Sequence, residues 1–186
     1  MDNFPAVMAE KIENQLAQLI LYIGAIDSLS EAYQTHENLR QDAFLFSTVY
    51  DGLWDAAIVR IGTLWDNTGG VASLPKLTKH LRRLNGPEAK AVATEIDGAA
   101  TPEWIRLKEW RHAIVAHVRI PLDAPSFDRD NSVGVTDLRK ETERVEHLLA
   151  RANKCLGREQ VYYEALKEDA VSNARNSLAR WTRVAA

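Results

Sequence analysis

Arg111, His112 and His117 fall within one short stretch, Trp110-Arg111-His112-Ala113-Ile114-Val115-Ala116-His117. Their side chains suit acid–base chemistry on an anion. A histidine titrates near neutral pH and can give or take a proton. An arginine stays charged and can hold two oxygens of a phosphate at once. The Arg-x5-His spacing is common in itself, but its position adds weight. It lies near a helix C-terminus, before a loop opening at Pro121, and downstream of two long helices. Six residues on a regular helix turn about 600°, so Arg111 and His117 point roughly 120° apart. Within one helix they do not form a tight site. His117 instead shares a stripe with Arg106, Trp110 and Ala113.

Structural roles stay open for the same residues. Arg111 could be a surface or ion-paired arginine, since Lys108 and Glu109 mark a solvated side of its helix. His117, between Ala116 and Val118, could fill a core position or complement the dipole of a helix end. Asp51 and Asp55 share a helix face and could orient an Arg or His, or simply be solvated. Lys76, Lys79, His80, Arg82 and Arg83 form a small basic cluster that could meet a nucleic-acid backbone or serve as a wet helix face. The tryptophans at 54, 65, 104, 110 and 181 read as core or interface anchors, with base stacking as the other use. Cys155 reads as a small packing residue.

Several chemistries lack their signatures. There is no P-loop, no G-x-G-x-x-G after a strand, no H-E-x-x-H, no Cys-x-x-Cys and no G-x-S-x-G. His112 and His117 are five apart, whereas zinc-binding pairs sit four apart. The expectation is a site with neither metal nor cofactor. One cysteine also excludes a disulfide framework within the chain. The formal charge of −3 excludes a grossly basic nucleic-acid wrapper but leaves room for a local basic site. Residues 1–100 carry 8 basic and 13 acidic side chains, against 15 and 13 in residues 101–186, so the positive balance lies in the half that holds Arg111.

The elements that must position these residues read as helices throughout. Over about 5–35, Met8, Ile12, Leu16, Leu19, Ile23, Ile26 and Tyr33 recur at threes and fours. A second helix is expected over about 37–66, ended by Asn67-Thr68-Gly69-Gly70. Ser73 would cap a short third, with Pro75 in its first turn. Residues 88–97 could form another small helix. Thr101-Pro102-Glu103 reads as cap, first residue and acidic first turn of the helix that carries Arg111, which must stop before Pro121. Residues 121–134 read as a loop, with Val133-Gly134-Val135 the only strand-like run. Thr136 or Asp137 would cap a helix to about Leu156, closed by Gly157, and a last helix would run from about Arg158 to Trp181. The reading is an all-α, up-down bundle of about five main helices plus one or two short ones, in a single domain over 1–186. The polar, acidic start and the short apolar run Leu19–Ile26, far below the about 20 residues of a membrane span, point to a soluble, cytoplasmic chain.

With those helices in place, the chain resembles the HEPN superfamily and its AbiU2-like branch. The motif of Arg, a polar residue, a short spacer and His falls on Arg111, His112 and His117. The run from Tyr50-Asp51-Gly52-Leu53-Trp54-Asp55 through Arg60 and Leu64-Trp65-Asp66, then Ser73-Leu74 and Leu77, is similar to the branch's second and third helices. Tyr163-Glu164-Ala165 onward is similar to its closing helix, so the resemblance spans roughly 10–180.

The resemblance implies a metal-independent endoribonuclease of a toxin or anti-phage system, in which the RNA's own 2′-hydroxyl attacks the adjacent phosphate and leaves a cyclic phosphate. His117 would transfer protons, Arg111 would stabilise the phosphate and His112 would assist. The resemblance also implies a homodimer in which two copies of this helix pool their Arg and His, with an RNA substrate and an antitoxin as partners; among the basic side chains of this chain, Lys79, Arg82, Arg83 and Arg119 are those that could contact the RNA. Some relatives carry a tyrosine two residues after the motif His, modified by a partner nucleotidyltransferase; Arg119 stands there in this chain. The other implied role is a catalytically inactive HEPN-like module that binds RNA or nucleotides, or acts as a scaffold.

Overall fold

The computed structural model describes residues 4–68, 70–98, 100–116 and 133–184. Among them there are only helices and connections, with no strand. In order these are α1 (Phe4–Thr35), α2 (Glu37–Gln41), α3 (Ala43–Leu64), α4 (Leu74–Leu81), α5 (Pro87–Asp97), α6 (Pro102–Ala116), α7 (Val135–Cys155) and α8 (Glu164–Val184). The fold is an all-α helical bundle, as the apolar periodicity requires. The expected end of α6 before Pro121 and the loop up to residue 132 lie outside the described residues.

The chain divides into two compact units. One is built from Met1–Leu16 and Ile58–Val161, the other from Ala17–Ala57 and Tyr162–Ala186. The first unit buries Ile12 and Leu16 of α1, Ile58, Ile61 and Leu64 of α3, and Leu74, Leu77 and Leu81 of α4. Val92 and Ile96 of α5, Leu107 of α6, and Leu138, Val145 and Leu148 of α7 complete that core. α7 packs against α4, α5 and α6, and α4 packs against α5. Each fully buried Leu or Ile contributes about 1.5–3 kcal/mol by leaving water. In the second unit, Leu19, Ile23, Ile26 and Leu29 of α1 are buried, with Ala57, Tyr163 and Ala170.

Local chemistry explains most boundaries. Thr101 caps α6: its Oγ1 accepts the Trp104 backbone N–H at 3.1 Å. Gly157 closes α7 at φ +68°, a left-handed conformation that favours glycine. The Arg158 N–H donates to Asn153 O (2.9 Å) and the Gly157 N–H to Lys154 O (3.2 Å), the two bonds of a Schellman ending.

Four expectations need correction. The helix drawn over 37–66 is two helices, α2 and α3, interrupted at Asp42, whose carbonyl accepts the Phe46 N–H at 3.1 Å. Ser73 does stand at the N-cap of α4 in extended conformation, but its hydroxyl makes no capping bond. α7 begins two or three residues earlier than a cap at Thr136 or Asp137 would dictate: Gly134 is its N-cap, and Asp137 reaches back to accept the Gly134 N–H at 3.0 Å. The last helix starts at Glu164, not Arg158, because Arg158 belongs to the turn and is drawn onto α1. Its Nη2 donates to Glu13 Oε2 at 2.8 Å and its Nη1 to Ala6 O at 3.0 Å.

Candidate active site

α6 is capped so that Trp104, Lys108, Arg111 and His112 follow at i, i+4, i+7 and i+8. That spacing puts all four on one face of the helix. The face lies opposite the end of α3 and the turn after it, Trp65 to Thr68. Together these residues line an open pocket of about 570 Å³ within the first compact unit.

Arg111 is fixed from two directions. Its Nη2 donates to Asp66 Oδ2 at 3.1 Å, with both side chains mostly shielded from water. Asp66 is itself held by the turn, where its Oδ1 accepts the Thr68 N–H at 2.8 Å. Burial works to raise the Asp66 pKa, but the Thr68 hydrogen bonds and the Arg111 guanidinium together hold the carboxyl below its ordinary value. On the other side, the Arg111 aliphatic stem lies against the bare backbone of Gly62 on α3, where a Cβ would overlap Arg111 Cδ. The arginine crosses α3 through space that only glycine leaves.

The aromatic wall has its own support. The rings of Trp65 and Trp104 lie 5.9 Å apart, and the Arg144 guanidinium stands 5.1 Å from the Trp65 ring centre. Trp65 is buried and Trp104 is half-buried. Behind them Glu141 of α7 is 1% exposed, and it accepts from Thr101 Oγ1 (3.1 Å) and Arg144 Nη1 (3.4 Å). Burial raises the Glu141 pKa, against the opposing pull of Arg144 and Thr101. Nearby, Arg106 Nη2 donates to Asp137 Oδ1 at 2.6 Å, tying α6 to the start of α7. Burial works to raise the Asp137 pKa, but the Gly134 N–H, Arg106 and Lys140 hold it below the ordinary value. Thus Thr101, Glu141 and Asp137 fix the helix face that the pocket uses.

The pocket gathers Arg111 and His112 of the residues singled out from sequence. His117 and Arg119 lie outside the described residues. The basic cluster is not among the described lining residues: Lys79 is exposed on α4, Arg82 is paired with Asp97, Arg83 is exposed just beyond the helix, and Lys76 Nζ donates to Val71 O at 2.6 Å. Asp51 and Asp55 are exposed on α3, in the part of that helix belonging to the second unit. The carboxylate on Arg111 is Asp66 instead. Asp66, Gly62, Lys108 and the two tryptophans are site residues that spacing did not mark. Asp66 followed by Thr68 is a recognisable turn signal, but nothing local points from it to Arg111. Among the described residues, no group of three or more His, Cys, Asp or Glu side chains comes close enough to hold a metal ion, and no helix is long and apolar enough to cross a membrane.

The same stretch of chain matches a known family. The family model of AbiU2, a HEPN-type family, matches residues 6–177, nearly the whole chain. No curated protein and no solved structure matches it. The matched span contains Gly62, Asp66, Arg111, His112 and His117. The chain belongs to the AbiU2 family of HEPN-type proteins.

Proposed function

We propose that the chain is a metal-independent endoribonuclease, working as a homodimer in a toxin or phage-defence system. Residues 1–186 act as one HEPN-like domain. A base takes the proton of an RNA 2′-hydroxyl, the oxygen attacks the adjacent phosphorus, and an acid returns a proton to the departing 5′-oxygen. The products are a 2′,3′-cyclic phosphate and a 5′-hydroxyl. His117 carries the proton transfer, Arg111 stabilises the crowded phosphate and His112 assists. Dimerisation through the Arg111–His117 helix supplies the second set of these groups, and RNA and an antitoxin are the partners. The observation that carries this reading is the fixed guanidinium of Arg111, aimed with His112 into an open pocket on a chain of the AbiU2 family.

The test is incubation of labelled RNA with purified protein in EDTA, beside Arg111→Ala and His117→Ala. The expected result is cleavage that survives EDTA and disappears in both variants. Cleavage equal in the variants, or absent with every RNA tried, overturns the assignment. A second reading draws on the Asp66 pairing, which neutralises Arg111 within the chain. It makes the protein a non-cleaving RNA- or nucleotide-binding module, and it predicts RNA binding without products.

A further inference from the structure

The pocket has more aromatic and basic surface than phosphate stabilisation alone requires. Arg111 is already matched by Asp66. Lys108 and His112 line the same pocket and carry no hydrogen bond or ion pair to any described residue. Lys108 sits between Trp104 and Arg111 on the α6 face. Trp104 lies against Trp65 with the rings tilted 38° to each other, and the Arg144 guanidinium stands over Trp65 in turn. A half-buried indole beside two basic side chains without a described partner matches a ligand with a flat π-face joined to an anion. Asn67 and Thr68, both exposed on the opposite rim, offer amide and hydroxyl groups to the edge of such a ring.

We infer that this pocket is a nucleotide subsite: an unpaired base of a single-stranded RNA stacks on Trp104, while its phosphate meets Lys108 and His112 next to Arg111. This deepens, and rests on, the ribonuclease reading of the same site. Stacking on an aromatic side chain accepts any base, so Trp104 supplies affinity, and the Asn67–Thr68 rim supplies what base preference there is. Lys108 is a positioning residue, setting the phosphate within reach of Arg111.

The experiment is calorimetric titration of the full chain with three probes: ribose 5-phosphate, adenosine 5′-monophosphate and a short 2′-O-methyl RNA strand that cannot be cleaved. The expected order is strand tightest, adenosine monophosphate next, and ribose 5-phosphate weaker by about tenfold or more. Trp104→Leu should abolish the gap between adenosine monophosphate and ribose 5-phosphate, and Trp104→Phe should keep most of it. Lys108→Glu, at an exposed position, should weaken both by about tenfold while leaving the melting temperature unchanged. Equal affinity for ribose 5-phosphate and adenosine monophosphate, or no effect of Lys108→Glu, overturns the subsite. Adenosine monophosphate binding as tightly as the strand overturns the assignment to RNA. Because the strand is uncleavable, the two readings fail separately: binding without cleavage of ordinary RNA removes the nuclease alone, and cleavage without this binding pattern removes the subsite alone.

Discussion

Arg111 on α6 donates to Asp66 at the end of α3 across 3.1 Å, joining two residues 45 positions apart. The bond orients the guanidinium without burying it, since 27% of the Arg111 side chain stays exposed. On the proposed reading, Asp66 is thereby a positioning group for the charge that meets the phosphate.

Asp66→Asn should therefore lower RNA cleavage about tenfold with little change in RNA affinity, because a misdirected guanidinium costs rate before it costs binding. The Asn side chain can still accept the Thr68 N–H, so the turn survives. Single-turnover rates and strand titration separate the two quantities. A loss confined to affinity would assign Asp66 to binding instead.

Gly62→Ala should cut cleavage by about tenfold, since the added methyl occupies the place of Arg111 Cδ. In an Arg111→Ala background the same change should stabilise the protein by about 1 kcal/mol, because alanine is the better helix former. Thermal melts of the two single variants and the double variant measure this. Equal effects of Gly62→Ala in both backgrounds would show that Gly62 and Arg111 act independently.

The carboxylates of the first unit respond to pH in opposite senses. Asp66 and Asp137 have lowered pKa values, so their contribution to stability is complete above the ordinary carboxylate range and is lost as pH falls through the lowered values. Glu141 has a raised pKa. Its folded form holds a proton over a range in which the unfolded form has released it, so its contribution improves as pH falls from neutral into the carboxylate range. Wild type should gain stability relative to Glu141→Gln between pH 7 and about pH 4.5. Denaturation curves that stay parallel over that interval would contradict the burial-raised Glu141.

Arg158→Ala should destabilise the fold by about 2 kcal/mol, since it leaves the shielded Glu13 carboxylate with Asn153 as its partner. Asn153 Nδ2 donates to Glu13 Oε1 at 2.6 Å but brings no charge. Urea unfolding at neutral pH gives the value. Cleavage by the folded variant should be unchanged, because Arg158 is not among the pocket residues.

The legible parts of this fold were those written locally. Thr101 before Pro102, Gly157 after Cys155 and the steps of Ile12, Leu16 and Leu19 carry their meaning within a turn or two of helix. The start of α8 was missed because Tyr163 precedes it without any of the usual capping side chains, while Arg158 is pulled away by Glu13, 145 positions distant. Asp42 is a common helix-starting residue, but the apolar pattern on both sides outweighed it. At the site, Arg111 and His112 were legible as chemical types. Asp66 and Gly62 were not, because their roles depend on the end of α3 lying beside Arg111 of α6, and no spacing along either helix encodes that approach.

Gly62 also changes how members of such a family should be sorted. On the proposed reading the Arg and His of the motif supply the chemistry, and the setting of the arginine depends on a missing methyl one helix away. A relative with alanine at this place would, on that reading, keep every residue of the motif but would have to set its arginine differently. Activity would then be better judged from positions 62 and 111 read as a pair than from the motif alone.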